Sequence, residues 1–117
     1  MQPVPAKATI TMEDLQKIDV RVGTILRVDE VEKSDKLLRL TVDFGDHQRC
    51  ILSGIKKERP NPRELEGMQT LFVINLAPRK MAGLISEGML FDAGFADNVP
   101  PSLLVPEKPM PNGTRAE

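Results

Sequence analysis

Two adjacent cations followed by small and hydroxyl residues form the most chemically distinctive stretch of this sequence. Arg79 and Lys80 stand before Gly83, Ser86 and Gly88. Apolar runs lie on both sides, so two strands joined by a loop would place the cations at one lip and the hydroxyl at the other. Basic side chains, a hydroxyl and close glycine backbone can hold a phosphate or a nucleotide. The same pattern fits an ordinary polar hairpin, and the motif alone leaves that alternative open.

Composition limits the class of protein. The 117 residues predict one domain, and 40% apolar with 28% charged residues is typical of a soluble globular chain. The sequence has no apolar run near the ~20 residues of a membrane span, and its start lacks the apolar core of a signal peptide. A lone cysteine, Cys50, excludes an internal disulfide and is expected to be a small core residue. These features predict a cytoplasmic protein without a membrane segment.

The charge is distributed unevenly, although the net charge is only −1. Residues 49–81 hold seven Lys/Arg against three acids, whereas residues 1–48 hold seven against nine and residues 82–117 hold two against five. A local basic surface on a nearly neutral chain favours a bounded anionic partner over a long polyanion. A solvated charged face is the alternative.

The N-terminal residues predict a tail and then a short helix. Residues 1–10 carry prolines and no apolar period, which is typical of a flexible tail. Thr11 is a good N-cap for a helix over residues 12–17. Ile10 before the cap and Leu15 inside the helix are spaced to form a hydrophobic staple.

Alternating apolar patterns predict an all-β domain over residues 11–117. Gly23 inside the first strand suggests a bulge or sharp bend, the device that curls a sheet into a barrel. Residues 54–68 form a basic connection with one helical turn. The predicted strands cover residues 20–28, 37–44, 47–53, 69–76 and 87–93. Five strands with a helical connection between the third and fourth match a five-stranded OB-fold barrel.

A C-terminal extension of about residues 94–117 follows the predicted barrel. It includes a short buried strand at residues 103–105 and a proline-rich end. The extension is too apolar for a free tail, so it either covers an open barrel edge or pairs with another subunit. In an OB fold the loops after strands one and four flank the binding groove. Here those loops are Glu32–Lys36 and Ala77–Ser86, which would face each other.

Several kinds of site lack their parts. His47 is the one histidine, so neither a histidine-based triad nor a multi-histidine metal site is predicted. Tryptophan and tyrosine are absent, and Phe44, Phe72 and Phe91 lie in apolar runs that look like core. A generic single-strand binder needs exposed stacking platforms for successive bases. The sequence therefore argues against generic coating of single strands and predicts neither an enzyme nor a cofactor site.

Motifs in a fixed order resemble the bacterial tRNA-binding domain family. They lie at residues 18–25, 34–38, 53–55, 75–81 and 86–89. That family includes the C-terminal appendix of methionyl-tRNA synthetase, free-standing tRNA-binding proteins and a related secretion-chaperone branch. The resemblance implies an OB fold with a C-terminal extension, homodimerisation through material outside the barrel, and binding to the outer corner of folded tRNA.

The resemblance also implies roles for single residues. The lysine of the first loop would contact phosphate at one edge of the groove, and the cations after strand four would contact phosphate at the opposite edge. The Ser-x-Gly-Met segment would form the floor of the groove. The implied tRNA-binding residues are Lys36, Asn75, Arg79, Lys80, Ser86 and Met89. Met89 also fits a core position, and Asn75 also fits a turn at the end of a strand.

Two hypotheses of different class follow. The first is a structure-specific, sequence-tolerant tRNA-binding module, either a free-standing dimer or the C-terminal or trans-acting module of a methionyl-tRNA synthetase. The second is a secretion-related chaperone, a dimer that binds unfolded preproteins through apolar surface. The basic segment at residues 77–81 favours the first. The expected partners are accordingly tRNA, a second copy of the chain, and an aminoacyl-tRNA synthetase or unfolded preproteins.

Overall fold

Short strands dominate the computed structural model, which describes residues 3–117. A four-residue helix, α1 (Met12–Leu15), precedes them. The strands are β1 (Val20–Glu30), β2 (Leu38–Asp43), β3 (Gln48–Ser53), β4 (Gln69–Val73), β5 (Arg79–Met81), β6 (Leu84–Ser86), β7 (Met89–Leu90), β8 (Asp92–Ala93) and β9 (Ser102–Leu103). Turns of 3₁₀ helix occur at Lys56–Glu58, Pro62–Leu65 and Phe95–Asp97. None of the helices in residues 3–117 is long and apolar enough to cross a membrane.

Five strands form one antiparallel sheet in the order β3-β2-β1-β4-β7. The sheet curls so that its edge strands, β3 and β7, pack against each other. Backbone ties the seam between them, because the N–H of Glu87 donates to the carbonyl oxygen of Cys50 at 2.8 Å. A curled five-stranded sheet with a helical connection between its third and fourth strands has the OB architecture. The predicted all-β OB fold is confirmed.

The long strand β1 contains the bulge that helps the sheet to curl. Its register against β2 shifts between Ile25 and Arg27, which leaves Leu26 as the extra residue. The predicted alternation reverses there: Ile25 is fully buried, whereas Leu26 is 44% exposed. The bulge expected at Gly23 therefore lies three residues further along. Gly23 instead permits close packing, because a Cβ there would lie 2.6 Å from Val42 Cγ1.

The core fills the inside of the curled sheet. Phe44 and Phe72 meet edge to face with their ring centroids 5.6 Å apart, so both predictions of core positions are confirmed. Phe91 is 40% exposed, and the prediction that it is core is wrong. Leu90 takes the inward position on that strand, and the next side chain points outward. The buried cluster comprises Ile25, Val28, Leu38, Leu40, Val42, Phe44, Ile51, Ile55, Leu65, Phe72 and Leu90.

Residues 110–116, the C-terminal strap, run back across the first half of β1. The N–H of Val22 donates to Thr114 O at 2.8 Å, and Val22 O accepts from the N–H of Gly113 at 2.7 Å. Strand β4 pairs with the other edge of the same half of β1. The strap thus covers a barrel edge, which is one of the two roles expected for the extension. Pairing with another subunit stays a prediction.

The later strands are shorter than the sequence predicts. Strand β4 ends at Val73 instead of residue 76. The predicted fifth strand is divided into β7 and β8, and only β7 joins the main sheet. Strand β8 pairs with β9, which replaces the strand predicted at residues 103–105. Val105 is 55% exposed and is therefore not the buried end of that strand.

The N-terminal helix is capped as predicted but is short and exposed. Thr11 Oγ1 accepts the backbone N–H three residues further on at 3.0 Å. The helix ends at Leu15, two residues before the predicted end. Ile10 and Leu15 are 59% and 48% exposed, so they bury no staple within the chain. Residues 3–10 are exposed and have no regular structure, and the first two residues of the predicted tail lie outside the described residues.

Candidate functional site

The segment that the sequence predicts as the loop Ala77–Ser86 is a β-hairpin. Strands β5 and β6 pair with each other in a separate two-stranded sheet. The turn between them is Ala82-Gly83, whose φ angles are +50° and +82°. Positive φ at both central residues is the requirement of a type I′ hairpin turn. Residues 75–86, which carry this hairpin out from the barrel seam, are called the arm below.

Strand pairing places the two cations of the arm on different faces. Arg79 lies opposite Ser86, and Lys80 lies opposite Ile85. Cross-strand partners share a face and neighbours in sequence do not. Lys80 thus stands beside Ile85, which is 57% exposed. Arg79 is on the face that carries Ser86, the residue by which the arm is bonded to β3.

Four of the seven cations of the basic segment, residues 49–81, are neutralised or used within the chain, and the exceptions are exposed Lys57 and the two cations of the arm. Lys36, Arg79 and Lys80 are exposed, and within residues 3–117 none of them takes part in a salt bridge. Within residues 49–81 the cations with partners in the chain are Arg49, Lys56, Arg59 and Arg63. The positive charge that remains available to an anion therefore concentrates on fewer positions than the sequence suggests.

The side chain of Ser86 holds the arm against the barrel. It is 3% exposed, and its Oγ accepts the N–H of Leu52 at 3.0 Å and donates to Gly88 O at 2.9 Å. Both bonds lie at the seam between β3 and the arm. Met89, two positions after Glu87, is 46% exposed and pairs with Val73 across β4 and β7. Met89 is therefore at the surface rather than in the core, the alternative that its sequence left open.

Asn75 joins the start of the arm to the N-terminal segment. Its Oδ1 accepts the N–H of Asp19 at 2.9 Å, and its Nδ2 donates to Lys17 O at 2.6 Å. The backbone reinforces this tie, because the N–H of Ile74 donates to Asp19 O at 2.9 Å. The sequence left two roles open for Asn75, contact with a ligand and a turn at the end of a strand. These bonds are typical of the second role.

Arg49 on β3 is a further residue at the seam. The sequence predicts it only as one of the cations of residues 49–81, without a role of its own. Its Nη1 donates to Ile74 O at 2.7 Å and to Glu87 O at 3.1 Å. Its Nε donates to His47 Nε2 at 2.9 Å, and the other ring nitrogen of His47 lies 2.6 Å from Asp46 Oδ1. That contact with His47 lowers the pKa of Asp46 below its usual value. The sequence carries one signal of this role: Arg49 is a cation inside an apolar-rich strand, and a charged group in such a place must find hydrogen-bond acceptors.

The other predicted edge of the groove, residues 32–36, is a short turn on the connection between β1 and β2. Ser34 Oγ accepts the N–H groups of Lys36 and Leu37 at 3.2 and 3.1 Å. Lys36 O accepts the N–H of Lys56 at 3.1 Å, so this turn rests on the connection after β3. Three acids and two lysines line an open cleft beside it. No group of three or more histidine, cysteine or acidic side chains in the described part of the chain is placed to hold a metal.

Comparison with known proteins gives one family and several similar structures. A family model described as a putative tRNA binding domain matches residues 20–115. The MetRS related protein from Pyrococcus horikoshii is 32% identical with a TM-score of 0.85, over 95% of this chain and 100% of that one. Chaperone CsaA from Bacillus anthracis str. Ames is also 32% identical, with a TM-score of 0.82 over 94% of this chain and 100% of its own. The CsaA chaperone protein from Picrophilus torridus is 28% identical with a TM-score of 0.80, over 93% and 100% of the two chains.

Proposed function

The chain belongs to the putative tRNA binding domain family, and from that membership we propose that it binds folded tRNA in a structure-specific, sequence-tolerant way. The observation that carries the proposal is the arm, a hairpin that holds exposed Arg79 and Lys80 without an ion-pair partner in the described residues. Lys36 contacts phosphate from the other edge of the groove, and Met89 packs against a base or ribose between them. Asn75 and Ser86 act by positioning the arm.

Two biological settings fit this proposal. One is a free-standing dimer, and the other is the C-terminal or trans-acting tRNA-binding module of a methionyl-tRNA synthetase. The similarity to the MetRS related protein supports a connection with that synthetase. In both settings the chain acts by binding and not by catalysis, in the cytoplasm where tRNA is used.

The dimer is proposed from the N-terminal helix. Helix α1 has four residues, none of them buried. Isolated helices shorter than about 12 residues are marginal in water, so we expect packing against another surface to add to the bonds that already tie this segment to Asn75. Met12, Leu15 and Ile18 are 67%, 48% and 48% exposed and offer an apolar surface to a second copy. Sedimentation should show a dimer for the parent chain and a monomer for Leu15→Glu; a monomeric parent contradicts this part of the proposal.

A second candidate function is the binding of unfolded preproteins by a secretion-related chaperone. The similarity to two CsaA chaperones favours it. Exposed Ile85, Met89 and Phe91 would supply the apolar contacts. The two functions separate in a competition experiment, in which bulk tRNA and an unfolded preprotein compete for the chain at physiological salt. Displacement of tRNA by the preprotein at equal concentration favours the chaperone.

The tRNA proposal is tested by Lys80→Ala in a binding assay with bulk tRNA across a salt series. Lys80→Ala should weaken binding by about 1–3 kcal/mol, the scale of a hydrogen bond to a charged group. It should also reduce the slope of log affinity against log salt by about 0.7–0.9, one phosphate contact. Lys108→Ala is the matched control, because Lys108 is exposed on the C-terminal extension far along the chain from the arm. Equal binding by the parent and Lys80→Ala contradicts the assignment of the arm as the site.

A further inference from the structure

A single side chain joins the two ends of the arm. The arm leaves the barrel after Ile74 and returns at Glu87. The carbonyl oxygens of both residues accept from the same atom, Nη1 of Arg49, at 2.7 and 3.1 Å. Arg49 belongs to β3, the edge strand on the opposite side of the seam. One guanidinium thus fixes where the arm starts, where it ends and how it stands against the sheet.

The guanidinium is held in direction by its own neighbours. His47 Nε2 accepts from Nε of Arg49 at 2.9 Å. The guanidinium carbon lies 5.9 Å from the ring centroid of Phe44, a core residue that is 3% exposed. Arg49 is therefore aligned from one side by the barrel core and from another by the β2–β3 hairpin.

We propose that Arg49 is a positioning residue for tRNA binding, acting through the arm and not by contact with the nucleic acid. The inference rests on the proposed function of the arm. A hairpin anchored only at its base can swing, and cations that swing lose conformational freedom when they bind phosphate. By joining Ile74 and Glu87, Arg49 orders Lys80 before the ligand arrives. Nη1 donates to two backbone carbonyls and Nε to His47, so these two nitrogens are occupied within the chain before a ligand binds.

Lysine cannot replace arginine in this role. A guanidinium presents several donors in a rigid plane, whereas an ammonium is a point donor on a flexible stem. Arg49→Lys keeps the positive charge and the hydrogen-bonding capacity for one carbonyl, but it loses the bond to His47 and the joint hold on both ends. The substitution therefore changes how the arm is positioned while the charge at residue 49 stays the same.

The test is a double-mutant cycle with bulk tRNA, using Arg49→Lys, Lys80→Ala and the double variant. Arg49→Lys should weaken binding roughly tenfold, the scale of one lost charged hydrogen bond, with no change in the salt slope. Lys80→Ala should cost clearly less in the Arg49→Lys background than in the parent, because coupled residues are not additive. Arg63→Lys is the matched control: Arg63 is an exposed arginine paired with Glu66 on the 3₁₀ connection, and its variant should bind like the parent.

The outcomes separate the inference from the function on which it rests. Parent-like binding by folded Arg49→Lys, or strictly additive losses in the cycle, overturns the positioning role while the arm remains the site. No effect of Lys80→Ala in the parent contradicts the arm as the site. If Arg49→Lys does not fold, His47→Leu replaces it in the cycle, since it leaves Arg49 in place and removes the acceptor that aligns it. Additivity between His47→Leu and Lys80→Ala then overturns the inference.

Discussion

The arm and the turn at residues 32–36 both bring lysine to the surface, yet the chain supports them in different ways. Arg49 and Ser86 both tie the arm to β3, and Asn75 ties it to the N-terminal segment. The turn is held by the hydroxyl of Ser34 and by two backbone bonds, one from the N–H of Ser34 to Val31 O and one from the N–H of Lys56 to Lys36 O. The arm has the more extensive support of the two, as expected of a segment whose charges are ordered before a ligand binds.

The two regions also differ in local charge. Within the arm no acid accompanies Arg79 and Lys80, and the carboxylate of Glu87 beyond it accepts the N–H of Cys50 at 3.0 Å. The turn alternates Glu32 and Asp35 with its two lysines, so its net charge is zero. From this difference we expect the arm to supply most of the free energy of tRNA binding and the turn to add weak contacts at the edge.

The largest expected effect is that of removing a support from the arm. Ser86→Ala should destabilise the fold by about 1–3 kcal/mol, because it leaves the buried N–H of Leu52 without its acceptor. Affinity for tRNA should also fall, with an unchanged salt slope. The counterpart in the turn, Ser34→Ala, should cost only about 0.5–1 kcal/mol, since its bonds are at the surface. Urea unfolding measures both variants, and equal losses would remove the contrast between the two regions.

The tip of the arm gives the next effect. Gly83 has φ of +82° with open space around it, so Gly83→Ala meets no collision and is strained by its backbone alone. A left-handed conformation costs an L-residue about 1–2 kcal/mol, and the hairpin can relieve it by opening. We expect weaker tRNA binding with almost no change in melting temperature. Ala82→Gly is the matched change in the opposite direction, because Ala82 already has a φ of +50°; it should tighten the turn or leave binding unchanged. A lower melting temperature for Gly83→Ala would mean that the tip supports the barrel.

The smallest effect is expected in the turn. Lys36→Ala should weaken tRNA binding by less than about 1 kcal/mol, the range of a screened surface contact. The loss for Lys80→Ala in the same assay should be larger, because Lys80 has no acid neighbour in its own segment. A titration at several salt concentrations measures both. A greater loss for Lys36→Ala would reverse the ranking of the two regions.

The barrel could be predicted from the sequence because apolar alternation is clear in strands such as β2, where Leu38, Leu40 and Val42 are buried. The bulge at Leu26 could not, since a single extra residue is set by the pairing of β1 with β2 and leaves no local pattern. The two short strands inside the predicted loop Ala77–Ser86 could not be predicted, because Ala82-Gly83 is a weaker turn signal than Asn-Gly. A sequence also does not reveal whether the oxygen of Ser86 meets a ligand or a backbone N–H, because both are hydrogen bonds to the same hydroxyl.

The strap across β1 has a consequence for the order in which the molecule assembles. Arg21 Nη1 donates to Gly113 O at 3.2 Å, a bond between positions 92 residues apart in the sequence. Contacts of such long range close large loops and are slow to form. Strand β1 can pair with β2 and β4 early, but one edge of its first half waits for the far end of the chain. Until the strap docks, that edge is an open template for any other strand. We therefore expect aggregation through strand pairing to compete most strongly with the last step of folding.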